Sequence, residues 1–400
     1  MNKIFLALVT TICLTITIAA PVYAQTGITV TKSTTLPKFP LDLTFQVSAR
    51  SNAPITDVRL QYKVKQLGFV DVTAEAFPTF TPSASVSAEW KWDMRRSGGL
   101  PPGTIIEYWW VIKDSAGETL KTPPGQVTFE DTRFKWQKLT QGLITVFWYE
   151  GGDTFAREIM TAAQDAASRL QQDTGAFLKE PVRLYIYASS QDLLGSMIFP
   201  QEWTGGVAFT RYGAISIGIS SLNLTWGKRA IAHELTHLVT NQMTLNPYNE
   251  LPVWLEEGIA MVNEGPLQSA FNQVLAQAIS NNKLISLQTL ASPFSSFAEQ
   301  SYLSYAESYS VVDYLIRTYG KDKMFALLET FRQGSTYDGA LNKVYGFDTQ
   351  TLNSRWKQSV GVVSRTSRKL RLPLTLVGAS FTLPFFTVTA FVLRRRVRRV

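Results

Sequence analysis

The sequence predicts a multidomain chain with an N-terminal all-β sandwich, an α+β domain and a C-terminal transmembrane helix. Three observations support this prediction. Residues 25–131 alternate apolar and polar side chains, as half-buried strands do. Residues 132–363 show strand patterns first and helical patterns afterwards, which is the order typical of an α+β domain. The run from Leu372 to Leu393 contains no charged residue.

Residues 1–24 are predicted to be a secretory signal peptide. Lys3 precedes an apolar run, and Val22-Tyr23-Ala24 is a small-residue cleavage pattern. The one cysteine of the chain, Cys13, lies inside this segment. The mature chain is therefore expected to be exported and to be stabilised by burial rather than by disulfides.

The predicted sandwich, residues 25–131, consists of short strands. Period-two segments occur at "LDLTFQV", "DVRLQYKV", "SVSAEWKWD", "IIEYWWVIK" and "QVTFED", and "DSAGE" has the composition of a hairpin turn. About six such strands in about a hundred residues favour an antiparallel sandwich. The spacing resembles the immunoglobulin-like and fibronectin-like modules of exported bacterial proteins. No residue in this region has a catalytic pattern.

The α+β domain is predicted over residues 132–363. Its strands are "LITVFWY", "VRLYIYAS" and "GAISIGIS", and an amphipathic helix is expected between the first two, around residues 154–175. The sequence after the third strand is expected to be helical.

Both histidines of the chain lie in the segment "KRAIAHELTHLVTNQ". His233 and His237 are four residues apart, so a helix would direct both rings to one point. Zn²⁺ accepts neutral imidazole, and a catalytic zinc site has three protein ligands and a water. Glu234, beside the first histidine, is the predicted catalytic base that takes a proton from this water. The alternative is a surface helix with two solvated histidines.

The third zinc ligand is expected in "LPVWLEEGIAMVNEG", which follows the histidines. "HELTH" followed by "WLEEGIA" resembles the gluzincin metallopeptidases, whose peptidase MA-like domain binds zinc through HExxH and a glutamate on the next helix. The resemblance assigns the ligand to Glu257. Loop counting alone leaves Glu256 open. The resemblance also implies that Glu264, two turns past Glu257, is a partner of a ligand histidine; the alternative is an exposed carboxylate at a helix end.

A tyrosine in "LSYAESYSVVDYLIRTYG" matches a further part of the gluzincin pattern. In the aminopeptidase branch, a tyrosine about 50 residues past the glutamate donates a hydrogen bond to the reaction intermediate. The resemblance assigns this catalytic role to Tyr305, with Tyr309, one turn later, as the rival. A buried aromatic residue of the core is the alternative for Tyr305.

The sequence departs from the aminopeptidases at the edge strand. Their Gly-x-Met-Glu-Asn segment binds the free amine of the substrate through its glutamate, whereas "GGVAFTRYGAISIGIS" here contains no glutamate. An exopeptidase is therefore disfavoured. The strand from Ala214 to Ser220 is expected to pair with an extended peptide, which would suit an endopeptidase.

The run from Leu372 to Leu393 is long enough to span a bilayer as a helix. Residues 394–400 contain five arginines, which predicts a cytoplasmic tail and an extracytoplasmic catalytic domain. A buried core helix is the alternative. The net charge of +8 arises from the nine basic residues between 365 and 399, so the remaining chain carries −1. Nucleic acid is therefore not expected as a partner.

Together these features predict a membrane-anchored, extracytoplasmic zinc metallopeptidase that acts on a peptide or protein substrate, with endopeptidase activity. The alternative is a non-catalytic surface protein that uses the same scaffold for binding or adhesion.

Overall fold

The computed structural model describes residues 27–201, 204–295 and 297–367. The predicted signal peptide, transmembrane helix and basic tail lie outside these ranges. No helix within the three ranges is both long and apolar enough to cross a membrane. The predicted order, a β-rich region followed by an α+β domain, is confirmed.

The N-terminal region is one hydrogen-bonded sheet of seven strands. They are β1 (Thr29–Lys38), β2 (Asp42–Val64), β3 (Ala74–Ala76), β4 (Ser83–Asp93), β5 (Thr104–Asp114), β6 (Thr119–Lys121) and β7 (Gly125–Phe129). The first half of β2 pairs with β1 and β4, and its second half pairs with β3 and β5. The predicted hairpin "DSAGE" connects β5 and β6.

The two segments predicted as separate strands, "LDLTFQV" and "DVRLQYKV", belong to the single strand β2. The strand bends between them, because its register with β4 shifts between Arg50 and Ile55. A straight strand would separate Phe45 from Tyr62 by roughly 56 Å, at about 3.3 Å per residue. Their ring centroids are 6.4 Å apart. The sheet therefore folds over itself, and buried side chains from both halves of β2 share one core.

The second region contains a five-stranded sheet in the order β11-β12-β10-β9-β8. Its strands are β8 (Gln137–Gln141), β9 (Ile144–Trp148), β10 (Val182–Tyr187), β11 (Gly206–Phe209) and β12 (Ala214–Gly218). β9, β10 and β12 are parallel, whereas β8 and β11 run antiparallel to their neighbours. Neither β8 nor β11 was predicted from the sequence.

Ten helices accompany this sheet in the described residues. They are α1 (Gly152–Thr174), α2 (Ser190–Leu194), α3 (Leu224–Thr244), α4 (Val253–Asn263), α5 (Ser269–Ser280), α6 (Leu287–Leu290), α7 (Ala298–Tyr319), α8 (Lys321–Arg332), α9 (Tyr337–Tyr345) and α10 (Thr349–Ser367). The predicted amphipathic helix is α1, which ends at Gly175 in a left-handed conformation with φ of 76°. The apolar faces of α1 and α3 share one core with one face of the sheet.

The strand expected to pair with a peptide, Ala214 to Ser220, is not at the edge of the sheet. It forms β12, which is hydrogen-bonded to β10 on one side and to β11 on the other. Its backbone groups are therefore already used within the sheet. In the part of the chain that the structure describes, β11 is the edge strand on this side. The prediction of a peptide-binding strand was therefore wrong in the choice of strand.

Candidate metal centre

Helix α3 carries the two histidines and packs against β11 and β12. His233 is 2% exposed and His237 is fully buried. Their ring centroids are 4.8 Å apart, as expected for neighbours one turn apart on the same helix face. A surface helix with two solvated histidines is thereby excluded.

Glu257 on α4 lies opposite the two histidines. Its Oε2 atom is 3.3 Å from Nε2 of His233 and 3.6 Å from Nε2 of His237. Glu256 lies elsewhere, with its Oε1 atom 3.3 Å from Nδ1 of His237. Since both Nε2 atoms face Glu257, the geometry favours Glu257 over Glu256 as the third donor.

The rotation of α4 that directs Glu257 inward depends on the next residue, Gly258. A Cβ atom at this position would overlap the carbonyl oxygen of Ser308 and the side chain of Val312, both on α7. Glycine is therefore required for the two helices to approach this closely. The close contact fixes the face of α4 that meets α3.

Each histidine has a carboxylate on the side away from Glu257. Nδ1 of His233 is 2.8 Å from Oε1 of Glu264, and Nδ1 of His237 is 3.3 Å from Glu256. An ionised carboxylate only accepts hydrogen bonds, so Nδ1 of His233 donates and its Nε2 atom faces Glu257. The alternative reading of Glu264, an exposed carboxylate at a helix end, does not apply because its side chain is 11% exposed.

The carboxylates also act on the protonation of the imidazoles. Burial lowers the pKa of His233, but the contacts with Glu257 and Glu264 outweigh it and raise the pKa well above its usual value. The pKa of His237 is likewise raised by Glu257 and Glu256 against the effect of burial. A metal binds only an unprotonated ring nitrogen, so zinc competes with protons for these imidazoles.

The residues fit a zinc ion. The ligand atoms of His233, His237 and Glu257 lie within 4.8 Å of one another, and all three residues are buried. Two imidazole nitrogens and one carboxylate oxygen are the protein ligands of several catalytic zinc sites, and the carboxylates behind the rings orient them for a metal.

Glu234 is completely buried and lies against the edge strand. A Cβ atom at Gly206, the first residue of β11, would be 3.3 Å from Cγ and from Oε1 of Glu234. The carboxylate therefore lies between the end of β11 and the helix that carries both histidines.

Tyr305 on α7 faces the same cluster. It is 6% exposed, and its ring centroid is 6.4 Å from that of His233. Burial raises the pKa of the Tyr305 phenol well above its usual value, and the charges of Glu257 and Glu234 add to this effect. The phenol therefore keeps its proton and can donate a hydrogen bond.

Tyr309, the rival residue, is half-buried one turn further along α7. Burial also raises its pKa, and the charges that act on it include those of Asp313, Arg317 and Arg229. No ring contact joins Tyr309 to His233 in the described residues, whereas Tyr305 has one. The structure thus brings Tyr305, rather than Tyr309, to the cluster.

Comparison with known proteins agrees with this arrangement. The sequence pattern described as "Peptidase MA superfamily" matches residues 162–362, which is half of the chain. The chain belongs to the Peptidase MA superfamily. The resemblance expected from the sequence is confirmed, and the family together with the donor set supports Zn²⁺ as the cofactor. No curated protein sequence matches the chain.

Three solved structures illustrate the more distant likenesses. A mutant of an M1 zinc metallopeptidase from Deinococcus radiodurans is 11% identical, with a TM-score of 0.35, over 82% of this chain and 94% of that one. A two-domain M1 zinc metallopeptidase mutant bound to L-arginine is 11% identical, with a TM-score of 0.32, over 86% and 93%. OgpA from Akkermansia muciniphila is 9% identical, with a TM-score of 0.21, and the alignment covers 27% of this chain and 28% of OgpA. TM-scores this low carry no argument about function.

Sequence reasoning missed two features of the site. The first is the contact of Glu256 with His237. Adjacent residues on a helix face different directions, so the assignment of Glu257 to the metal gave no reason to expect Glu256 near a histidine as well. The edge strand β11 has only four residues, "GVAF", which is too short for an alternating pattern to be recognised.

Proposed function

We propose that the chain is a zinc-dependent metallopeptidase in which His233, His237 and Glu257 are the metal ligands. One observation carries the proposal: the buried carboxylate of Glu234 lies between the edge strand and the histidine-bearing helix. An ionisable group without solvent exposure is costly unless it has a function or compensating contacts. At this position it is next to both the metal donors and a strand that can hold a substrate.

Bound zinc would polarise a peptide carbonyl and lower the pKa of a water molecule to about 7. Glu234 then takes the proton of the attacking water and transfers it to the leaving amine, as a general base and acid. The phenol of Tyr305, which keeps its proton, donates a hydrogen bond to the oxyanion that develops during the attack. Glu264 and Glu256 keep the two imidazoles oriented throughout.

An endopeptidase is proposed because the edge strand offers only backbone groups. Residues 204–220, which include β11, contain no aspartate or glutamate to bind a free amine. β11 is hydrogen-bonded on one side to β12, and an extended peptide can pair with its other side. Such pairing is independent of a chain end, so it suits a substrate that continues on both sides of the cleaved bond.

The proposal includes an extracytoplasmic location with a C-terminal membrane anchor. The support is in the sequence: a signal-peptide pattern at residues 1–24 and an uncharged run at 372–393 followed by arginines.

The test is cleavage of a mixed peptide library by the purified chain, with and without a chelator. We expect cleavage within peptides that stops with the chelator and returns with zinc. Glu234→Gln should bind zinc as the wild type does and reduce the rate by roughly 10² to 10⁴. Glu180→Gln, at an exposed carboxylate, is the matched control and should be fully active. Zinc binding without any cleavage would instead support the non-catalytic binding protein.

A further inference from the structure

Arg229 lies one turn before His233 on α3 and reaches the end of α4. Its Nη2 atom is 3.1 Å from Oε2 of Glu264 and 3.3 Å from the carbonyl oxygen of Pro266. The other oxygen of the same carboxylate, Oε1, is 2.8 Å from Nδ1 of His233. One carboxylate thus bridges a guanidinium and a ligand imidazole.

Glu264 occupies an unfavourable position without this cation. It is the C-cap residue of α4, where the helix dipole carries partial negative charge and disfavours a carboxylate. The side chain is also largely buried, and Glu257 contacts the other nitrogen of the His233 ring, so a second negative charge lies across the imidazole. The positive charge of the Arg229 guanidinium offsets both effects.

The contact also fixes the direction of the carboxylate. Each of its oxygens contacts a different partner, Oε2 the guanidinium of Arg229 and Oε1 the Nδ1 atom of His233, so rotation of Glu264 would break at least one of the two contacts. The bond to Pro266 holds the guanidinium against the segment that follows α4. The orientation of the His233 ring therefore depends on a chain of contacts that begins at Arg229.

We propose that Arg229 is a positioning residue of the metal centre, which acts through Glu264 to hold His233 in the orientation that binds zinc. The inference rests on the proposed function only in requiring that the site binds zinc. It concerns metal affinity, so it can be tested without a substrate. The test does not measure peptide cleavage. If no substrate is found, the measured zinc affinities still decide the role of Arg229.

The first measurement is the zinc affinity of the purified full chain, determined by competition with a chromophoric chelator. Arg229→Gln should weaken zinc binding by roughly 10-fold to 100-fold, the range for loss of a group that orients a ligand. Lys228→Gln is the matched control, because Lys228 is the adjacent cation and its partner Glu158 lies away from the site, in an exposed pair at 2.8 Å. Its zinc affinity should equal that of the wild type.

The second measurement separates positioning from a general loss of structure. In a Glu264→Gln background, Arg229→Gln should cause no further loss of zinc affinity, because the group through which Arg229 acts is already neutral. Arg229→Lys keeps the charge but not the planar fork, and it should give an affinity between those of the wild type and Arg229→Gln. If Arg229→Gln fails to fold, Arg229→Lys replaces it in both measurements. Equal losses from Arg229→Gln with and without Glu264, or wild-type affinity in Arg229→Gln, would overturn the proposal.

Discussion

Replacement of Glu307 by glutamine should remove a loss of stability that the wild type undergoes as the pH rises to neutral and alkaline values. Glu307 lies on α7 and is fully buried, with Oε1 accepting a hydrogen bond from the backbone nitrogen of Ile285 at 3.0 Å. Burial raises its pKa to about 7, although the hydrogen bond from Ile285 and the charge of Lys357 oppose this effect. Glutamine preserves the size and the acceptor but cannot ionise.

The direction of the pH effect on stability follows from the protonation of Glu307 in the folded and in the unfolded chain. The carboxyl group has a pKa of 4.5 when unperturbed and of about 7 in the folded chain. Below the lower value it is protonated in both states. Between the two values the unfolded chain releases the proton while the folded chain retains it, so the free energy of unfolding falls as the pH rises. At about 1.4 kcal/mol per pKa unit the complete loss is about 3 kcal/mol, and it is reached above pH 7.

Urea unfolding of the wild type and of Glu307→Gln at about pH 5 and about pH 8 provides the measurement. The difference in free energy of unfolding should shift in favour of the variant by about 2 to 3 kcal/mol between the two pH values. Zinc binding contributes equally to both proteins, so it cancels in this difference. The control Glu180→Gln, at an exposed carboxylate, should follow the wild type at both pH values. If the free energy of unfolding changes by the same amount between the two pH values in the wild type and in Glu307→Gln, the reasoning is refuted.

Three further predictions concern the site and the topology. Glu257→Gln should weaken zinc binding at least about tenfold more than Glu256→Gln, because the first removes a ligand and the second an orienting group; equal losses in a chelator titration would contradict this. Tyr305→Phe should reduce the turnover of a cleaved peptide roughly 10²-fold to 10³-fold with little change in KM, whereas Tyr309→Phe should remain near the wild type; a reversed order in steady-state kinetics would exchange their roles. Protease added to intact cells should remove the described region and leave residues 394–400 protected, and an untruncated soluble protein in the medium would rule out the anchor.

The histidine positions were predictable because a helix has a fixed period. Four residues bring His233 and His237 to one face, and seven residues bring Glu264 to the face of Glu257, whatever the surrounding fold. The structure shows both alignments. The period of the helix was sufficient to predict these positions, because each pair of residues lies within one helix or at its end.

Two features could not be predicted from short stretches of sequence. They are the continuity of β2 and the identity of the edge strand. The segment around Pro54 interrupts the alternation of β2 and suggests two strands, but β4 pairs with β2 on both sides of this segment, at Arg50 and at Ile55. The choice between β11 and β12 as the edge depends on the order of strands in the sheet. Strand order arises from packing between distant segments, which the alternation within one strand does not encode.

The structure places Glu257, rather than Glu256, opposite both Nε2 atoms, and a contact between helices accounts for this placement. The same contact connects the two sides of the proposed chemistry. Gly258 lets α4 approach α7 at Ser308, and this approach sets the rotation that directs Glu257 toward the histidines. Tyr305 lies on α7 three residues before Ser308, one turn away. A single helix thus fixes both the carboxylate donor and the phenol relative to α3. Because precise mutual placement of catalytic groups determines transition-state stabilisation, α7 is the element whose position matters most for the proposed reaction.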